Sequence, residues 1–231
     1  MALWIEGCVY VPLSHYTQKE TLDFIISDSG IKIILTKSQF KYMLPPGEHF
    51  QLYPIDLVSQ MRPKIPIVKS QLNSPAYLIY TSGTILRCKG VLLPQEGLLS
   101  RWYSHWSKMK VTTSDRIAQF SDIKVDPSIM EMLLAFCSGA SLCLSMFHRN
   151  RFIHELPTIY QQLGISVTIL PPSYLDCLAK LAREDDKFLP EHFSKLRCMV
   201  SATDKVTKST ASLWRRLGTI VWLGYGSTET S

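Results

Sequence analysis

The sequence predicts an α/β fold made of layered parallel-sheet subdomains, and two observations support this prediction. Short β-rich apolar runs alternate with amphipathic helical patterns along most of the 231 residues, as expected of parallel strands joined by crossover helices. The composition, with 46% apolar and 19% charged residues, is that of a globular domain with a real buried core. We therefore expect a largely parallel sheet that helices cover on both faces.

The first elements follow this alternation. A short strand is predicted at 9–11 and a helix over 17–29, with Gly30 as the residue that ends the helix. A β-rich run at 31–36 predicts the next strand. Strand, helix and strand in this order are typical of an α/β layer.

The stretch 44–75 differs, because six prolines interrupt it. Proline ends helices and central strands, so we interpret this stretch as a connecting segment with one strand near 51–55. A buried strand at 76–80 resumes the pattern. The second half of the chain alternates helices over 129–137, 155–163 and 174–183 with strands at 141–146, 167–170, 196–200 and 220–223.

Charge and cysteine usage argue against several classes of function. The net charge is +6, yet no dense Lys/Arg run is interleaved with aromatic residues, so we expect no nucleic-acid partner. Six scattered cysteines without a Cys-x-x-Cys pair argue against a metal cluster or a disulfide framework and favour a reducing compartment. The first residues lack a signal-peptide pattern, and no apolar run is long enough to span a bilayer. We expect a cytoplasmic protein without a membrane span.

A loop rich in glycine and hydroxyl side chains follows the strand at 76–80. It reads Thr81-Ser82-Gly83-Thr84 and is followed by Lys89. Such a loop can hold phosphate, since glycine lets the backbone approach, hydroxyls and amides donate, and lysine adds a positive charge. A P-loop is excluded, because Cys88 stands where its second glycine is required and Gly90 where its magnesium-binding hydroxyl is required. A plain polar turn remains the alternative.

The same stretch resembles the phosphate loop of the adenylate-forming (AMP-dependent synthetase/ligase) superfamily, which includes the adenylation domains of nonribosomal peptide synthetases. That motif reads Tyr-Thr-Ser-Gly-Thr-Thr-Gly-x-Pro-Lys-Gly-Val, and this chain departs from it at Ile85, Leu86 and Cys88. The resemblance implies that ATP phosphates are held by Thr81, Ser82, Gly83, Thr84 and Lys89.

A second motif lies at 225–229, after the last predicted strand. It is similar to the Tyr-Gly-x-Thr-Glu stretch of the superfamily. The resemblance implies that Tyr225, Gly226 and Thr228 contact the adenine and AMP region, and that Glu229 holds Mg²⁺. An aromatic face suits a purine and a carboxylate suits a hard cation. We expect the segments 81–89 and 225–229 to meet around one nucleotide.

Asp126, before Pro127-Ser128, opens the predicted helix near 129. The resemblance implies that its carboxylate pairs with the amino group of a substrate, and the alternative is an ordinary helix cap. The run 126–142 looks like that of the beta-alanine-activating (aminoadipate-semialdehyde dehydrogenase-like) branch. The residues 202–204 depart from the Gly-Gly-Glu of the superfamily.

The resemblance implies the ATP-dependent activation of an amino acid or related carboxylic acid, beta-alanine-like, as an acyl-adenylate. The acceptor would be the phosphopantetheine thiol of a carrier domain or coenzyme A. It also implies that residues 1–231 are a part of the large domain, incomplete at both ends and lacking the C-terminal lid with its catalytic lysine. We therefore assign no catalytic residue and expect little or no adenylation by this chain. The alternatives are an acyl-CoA synthetase for plain carboxylic acids and a non-catalytic binding or scaffold relative.

Overall fold

The computed structural model describes residues 2–46, 49–57, 71–81, 88–144, 153–184, 190–202 and 205–230. The chain divides into two compact units, Met1–Leu98 (the first unit) and Leu99–Ser231 (the second unit). The division falls within helix α3 (Gln95–Met109). None of the helices in the described ranges combines the length and the apolar character that a bilayer span requires.

The first part of the first unit is a small α/β layer. Its elements are helix α1 (Ala2–Ile5), helix α2 (Lys19–Ser29), strand β1 (Ile33–Thr36) and strand β2 (Gln51–Pro54), and the two strands pair in parallel. Helix α2 ends at Gly30, whose φ of 62° is left-handed and suits glycine. These elements confirm the predicted helix and its stop, the strand at 31–36 and the strand near 51–55. Residues 58–70 of the proline-rich stretch lie outside the described residues.

The second part of the first unit is an antiparallel hairpin. Strand β3 (Pro75–Thr81) confirms the predicted buried strand, and strand β4 (Lys89–Pro94) pairs with it so that Thr81 stands opposite Lys89. Strand β4 was not predicted, because its glycine and lysine were assigned to the loop. The strand predicted at 9–11 is present only as an isolated parallel bridge between Tyr10 and Tyr77.

The second unit is organised around a five-stranded parallel sheet. Its strands are β5 (Arg116–Gln119), β6 (Ser141–Leu144), β7 (Val167–Ile169), β8 (Cys198–Ser201) and β9 (Ile220–Leu223). Their spatial order is β6-β5-β7-β8-β9, and every neighbouring pair is parallel. The connecting helices are α4 (Asp126–Ser138), α5 (Leu156–Leu163), α6 (Pro172–Glu184) and α7 (Lys208–Arg216).

Alternate residues of the strands face opposite sides of this sheet. Ile117 belongs to an apolar cluster with Met130 of α4, whereas its neighbour Ala118 belongs to a cluster with Trp214 of α7. The central strands β7 and β8 are buried along their whole length, as expected of parallel strands covered on both faces. The predicted parallel sheet with helices on both faces is confirmed for this unit.

Three elements of the second half were not predicted, namely α3, β5 and α7. Helices α3 and α7 are polar on average, and α3 has no glycine stop of the kind that ends α2. Strand β5 has only two apolar residues in four, Ile117 and Ala118, although both are fully buried. Periodicity alone therefore gave a weak signal in each of them.

Candidate functional site

The order of the parallel strands indicates where a ligand can bind in the second unit. From β5 the chain crosses to β6 on one side of it, and then returns to β7 on the other side. The connections after β5 and β7 therefore leave the sheet in opposite directions, which opens a crevice at the carboxyl ends of these two strands. Phe120, directly after β5, and Tyr174 of α6 contact each other edge to face there, with ring centroids 4.9 Å apart.

A buried glutamate holds the segment that leads from β5 into this crevice. Glu131 of α4 is fully buried and accepts hydrogen bonds from Gln119 Nε2 at 2.7 Å and from Ser121 Oγ at 2.9 Å. The Ser121 amide also donates to it, at 3.2 Å. Burial raises the pKa of Glu131 to about 8, although the hydrogen bonds from Ser121 oppose the shift. The sequence analysis missed this residue, whose signal is a single charge inside an apolar helical run.

Asp126 lies at the first residue of α4, on the same edge of the sheet. The residue before the helix is Val125, whose side chain makes no cap hydrogen bond, and Asp126 is the first helical residue rather than the residue at the cap position. Its Oδ2 instead accepts a hydrogen bond from Arg101 Nη1 of α3 at 2.7 Å. The two side chains are 17% and 24% exposed, so this ion pair is partly buried.

The last strand ends on the same edge. The Gly224 amide donates to the carbonyl of Ser201 at 2.7 Å, which ties the ends of β9 and β8 together. A Cβ on Gly224 would lie 3.3 Å from the Cβ of Ala202, so glycine permits this approach. Ala202 is the first residue of the departure at 202–204, and its two successors lie outside the described residues.

The second motif follows directly. Tyr225 is fully exposed, and Gly226 and Glu229 are exposed beside it, while Thr228 is half-buried in a short 3₁₀ turn. An exposed aromatic ring, a hydroxyl and a carboxylate are the groups that a purine, a phosphate and a divalent cation require. The described part of the chain holds no cluster of three or more His, Cys, Asp or Glu side chains.

The first motif belongs to the first unit, and only its two ends are described. Thr81 is the half-buried last residue of β3, and Lys89 is the exposed first residue of β4. The predicted phosphate ligands Ser82, Gly83 and Thr84 lie outside the described residues, as do the departures at 85 and 86.

Two other residues of this motif have a structural role. Tyr80 stands opposite Gly90 in the hairpin, and its hydroxyl donates to Asp28 Oδ2 at 2.7 Å. A Cβ on Gly90 would lie 3.1 Å from Tyr80 Cζ and 3.0 Å from Leu78 Cδ1. Gly90 thus leaves room for the Tyr80 ring across the strand pair. Burial and the hydrogen bond to Asp28 raise the pKa of Tyr80, so this hydroxyl remains a donor.

The predicted residues thus fall into two groups. Thr81 and Lys89 are brought together across the β3–β4 hairpin, within the first unit. Asp126 and the motif 225–229 share the carboxyl edge of the parallel sheet, within the second unit. Their convergence on one nucleotide stays a prediction.

Comparison with known proteins provides the family. The family model for the AMP-binding enzyme matches residues 1–231. Tyrocidine synthase 1 of Brevibacillus parabrevis is 30% identical over 239 residues, and gramicidin S synthase 1 of Brevibacillus brevis is 27% identical over 234 residues. Both matches span 100% of this chain but only 20% of the relative, so the chain spans about a fifth of their length.

The fold is also shared with a solved structure. The AMPPNP-bound nonribosomal peptide synthetase FmoA3 superimposes with a TM-score of 0.85 at 20% identity, over 98% of this chain and 24% of that one. A match of the family model over residues 1–231 identifies the family of this chain. It belongs to the AMP-binding enzyme family and is similar to the adenylation domains of nonribosomal peptide synthetases.

Proposed function

We propose that this chain forms part of the site in which a protein activates an amino acid or a related carboxylic acid, beta-alanine-like, with ATP. In this reaction a carboxylate oxygen attacks the α-phosphorus, the bond to pyrophosphate breaks and an acyl-adenylate forms. A phosphopantetheine thiol, on a carrier domain or on coenzyme A, then attacks the acyl carbon and AMP leaves. The observation that supports this most is the placement of Asp126 and Tyr225 on the carboxyl edge of one parallel sheet.

The nucleotide would be held by both motifs. Lys89 and the hydroxyls of Thr81, Ser82 and Thr84, with the backbone at Gly83, would bind the triphosphate. Lys89 fits because its side chain is exposed at the end of a rigid strand pair. Mg²⁺ would neutralise phosphate charge during the reaction.

At the other motif, Tyr225 would stack on adenine, with Gly226 and Thr228 beside the AMP and Glu229 as the ligand of Mg²⁺. The full exposure of the Tyr225 ring fits this role, since a stacking platform must offer its face to a ligand. Its neighbour Gly226 carries no side chain that could cover the ring.

The acid would be recognised at the crevice between β5 and β7. Asp126 is 17% exposed, and a carboxylate so placed favours a ligand that brings a cation. This selects a substrate with an ammonium group over a plain acid. The names of the two bacterial relatives, synthases of peptide products, agree with an amino-acid substrate.

Nucleotide binding tests the proposal directly. We would titrate ATP with Mg²⁺, and β-alanyl-sulfamoyladenosine as a stable acyl-adenylate analogue, against the chain by calorimetry. Tyr225→Ala should weaken both ligands about tenfold or more, because stacking of a base on an aromatic ring contributes roughly 1–3 kcal/mol. Tyr225→Phe keeps the ring and should bind as the wild type does.

Lys89→Ala provides a second test of the same proposal. It should weaken the binding of ATP but leave the binding of the analogue, which has no β- or γ-phosphate, nearly unchanged. Lys108→Ala, at the end of α3, is the matched control. If the wild-type chain binds neither ligand at millimolar concentration, the proposed function is wrong and a non-catalytic scaffold relative is favoured.

A further inference from the structure

The ion pair between Arg101 and Asp126 joins two helices that the sequence analysis did not connect. Arg101 lies in α3 and Asp126 opens α4, 25 residues later, and Nη1 and Oδ2 are 2.7 Å apart. Both side chains are partly exposed, at 24% and 17%. Water therefore reaches both partners in the folded chain.

The electrostatics of this position require a cation. A carboxylate that is mostly removed from water is costly unless a positive group compensates it. The guanidinium of Arg101 provides that group in the absence of a ligand. The guanidinium of Arg101 lies at the end of a long, flexible side chain that can turn toward water. An ammonium group of similar charge can therefore replace it at Asp126.

We propose that Arg101 is a specificity-determining residue: it is the resting counter-ion of Asp126, and the ammonium group of the substrate must displace it. This inference depends on the proposed function, in which Asp126 contacts the substrate amine. Because Arg101 competes with the ammonium, it lowers the preference of the wild-type chain for amino acids over acids that lack the amine. Removal of the guanidinium should raise that preference.

Two ligands that differ only in the amine isolate this effect. β-Alanyl-sulfamoyladenosine carries the ammonium group, and propionyl-sulfamoyladenosine has a hydrogen in its place. The measured quantity is the ratio of their dissociation constants, so a variant that merely loosens the fold weakens both ligands and leaves the ratio unchanged. Calorimetry would give both constants for the wild type and for each variant.

Arg101→Met should raise the preference for the β-alanyl ligand up to about fivefold, since it removes a competing cation whose ion pair contributes about 1 kcal/mol. Arg101→Lys keeps a cation and should stay near the wild-type ratio. Asp126→Asn should bring the two ligands to nearly equal affinity. Arg215→Met, an exposed arginine on α7, is the matched control and should leave the ratio unchanged. If Arg101→Met does not fold, Arg101→Gln, which removes the same charge, is used in its place.

The outcomes separate this inference from the proposed function. If the wild type binds both ligands and neither Arg101→Met nor Arg101→Gln changes the ratio, Arg101 does not compete with the amine, and the inference is wrong while the proposed function stands. If the wild type binds neither ligand, the proposed function fails and the inference fails with it.

Discussion

The second unit contains two aspartate–arginine pairs, at opposite edges of the same parallel sheet. At the amino edge, Asp115 accepts from Arg197 Nε at 2.8 Å and from Nη2 at 2.6 Å, and its side chain is 5% exposed. At the carboxyl edge, Asp126 accepts from Arg101 Nη1, and its side chain is 17% exposed. The first is a fork-shaped pair whose carboxylate is buried although its guanidinium is 40% exposed, and in the second pair both side chains are partly buried.

The hydrogen bonds that surround the two ion pairs also differ. Arg197 also donates to the carbonyls of Met109 and Lys110, at 2.8 and 3.1 Å. Asp115 accepts in addition from Ser166 Oγ at 2.7 Å and from the Thr112 amide at 2.8 Å. This network fastens the starts of β5, β7 and β8 to the end of α3, so loss of Arg197 would remove hydrogen bonds that hold several elements together. The pair at the amino edge is therefore expected to stabilise the fold more than the pair at the carboxyl edge.

The largest loss of stability at neutral pH is expected at the amino edge. Arg197→Met leaves Asp115 buried without its cation, and should lower the free energy of unfolding by about 3 kcal/mol. Burial alone would raise the pKa of Asp115, but the hydrogen bonds from Arg197, Thr112 and Ser166 outweigh it and lower the pKa to about 2. The stability that this carboxylate contributes is therefore present above pH 4 or so and is lost as the pH falls toward 2.

Urea unfolding of the wild type and of Arg197→Met at several pH values would check this prediction. The variant should show both the lower stability at neutral pH and a shallower loss in acid. A loss below about 1 kcal/mol at neutral pH would contradict the role assigned to this pair.

A buried carboxylate without a guanidinium partner should show the opposite pH dependence. Burial holds the proton on Glu131 up to about pH 8, whereas an unfolded glutamate releases it near its ordinary value of 4.5. The folded chain thus binds more protons through this window, and stability should fall as the pH rises from about 5 to 8, by at most about 1.4 kcal/mol per pH unit.

Glu131→Gln mimics the protonated acid and should remove this part of the pH dependence. Unfolding at pH 5 and pH 8 compares the two proteins, and the difference between them cancels the contribution of histidines that titrate in the same range. Identical pH dependence of the wild type and the variant would mean that Glu131 is ionised in the folded chain, held by its hydrogen bonds from Gln119 and Ser121.

The sequence predicted most of the parallel sheet because strands such as β7 and β8 are buried along their length and helices such as α4 and α5 end at glycines. Gly30 and Gly139 both take left-handed conformations at the ends of helices that were predicted. Strand β4 was not predicted, because its glycine leaves room for the ring of Tyr80 on the neighbouring strand. No local sequence pattern shows this contact. Local propensity cannot identify a residue whose role depends on a cross-strand partner.

The candidate site was predictable only in part. Asp126 and Tyr225 were found because short motifs surround them. Arg101 was not found, because it meets Asp126 from 25 residues away on a helix that the periodicity did not reveal. Glu131 was not found either, since a lone charge in an apolar helix gives no indication of the hydrogen bonds that surround it in the fold. Arg101 and Glu131 can be identified only from contacts between elements that are far apart in the sequence.

The smallest effect on stability is expected at the carboxyl edge. Arg101→Met should change the free energy of unfolding by less than about 1 kcal/mol, because a pair that solvent reaches contributes little. The same substitution type at Arg197 gives a direct comparison, since both variants lose a guanidinium and gain the same side chain. Urea unfolding at neutral pH, with the double variant Arg101→Met/Asp126→Asn to isolate the coupling between the two side chains, would measure it. A coupling as large as that at the amino edge would make Arg101–Asp126 a structural tie, and a ligand could then displace Arg101 only at the expense of the fold.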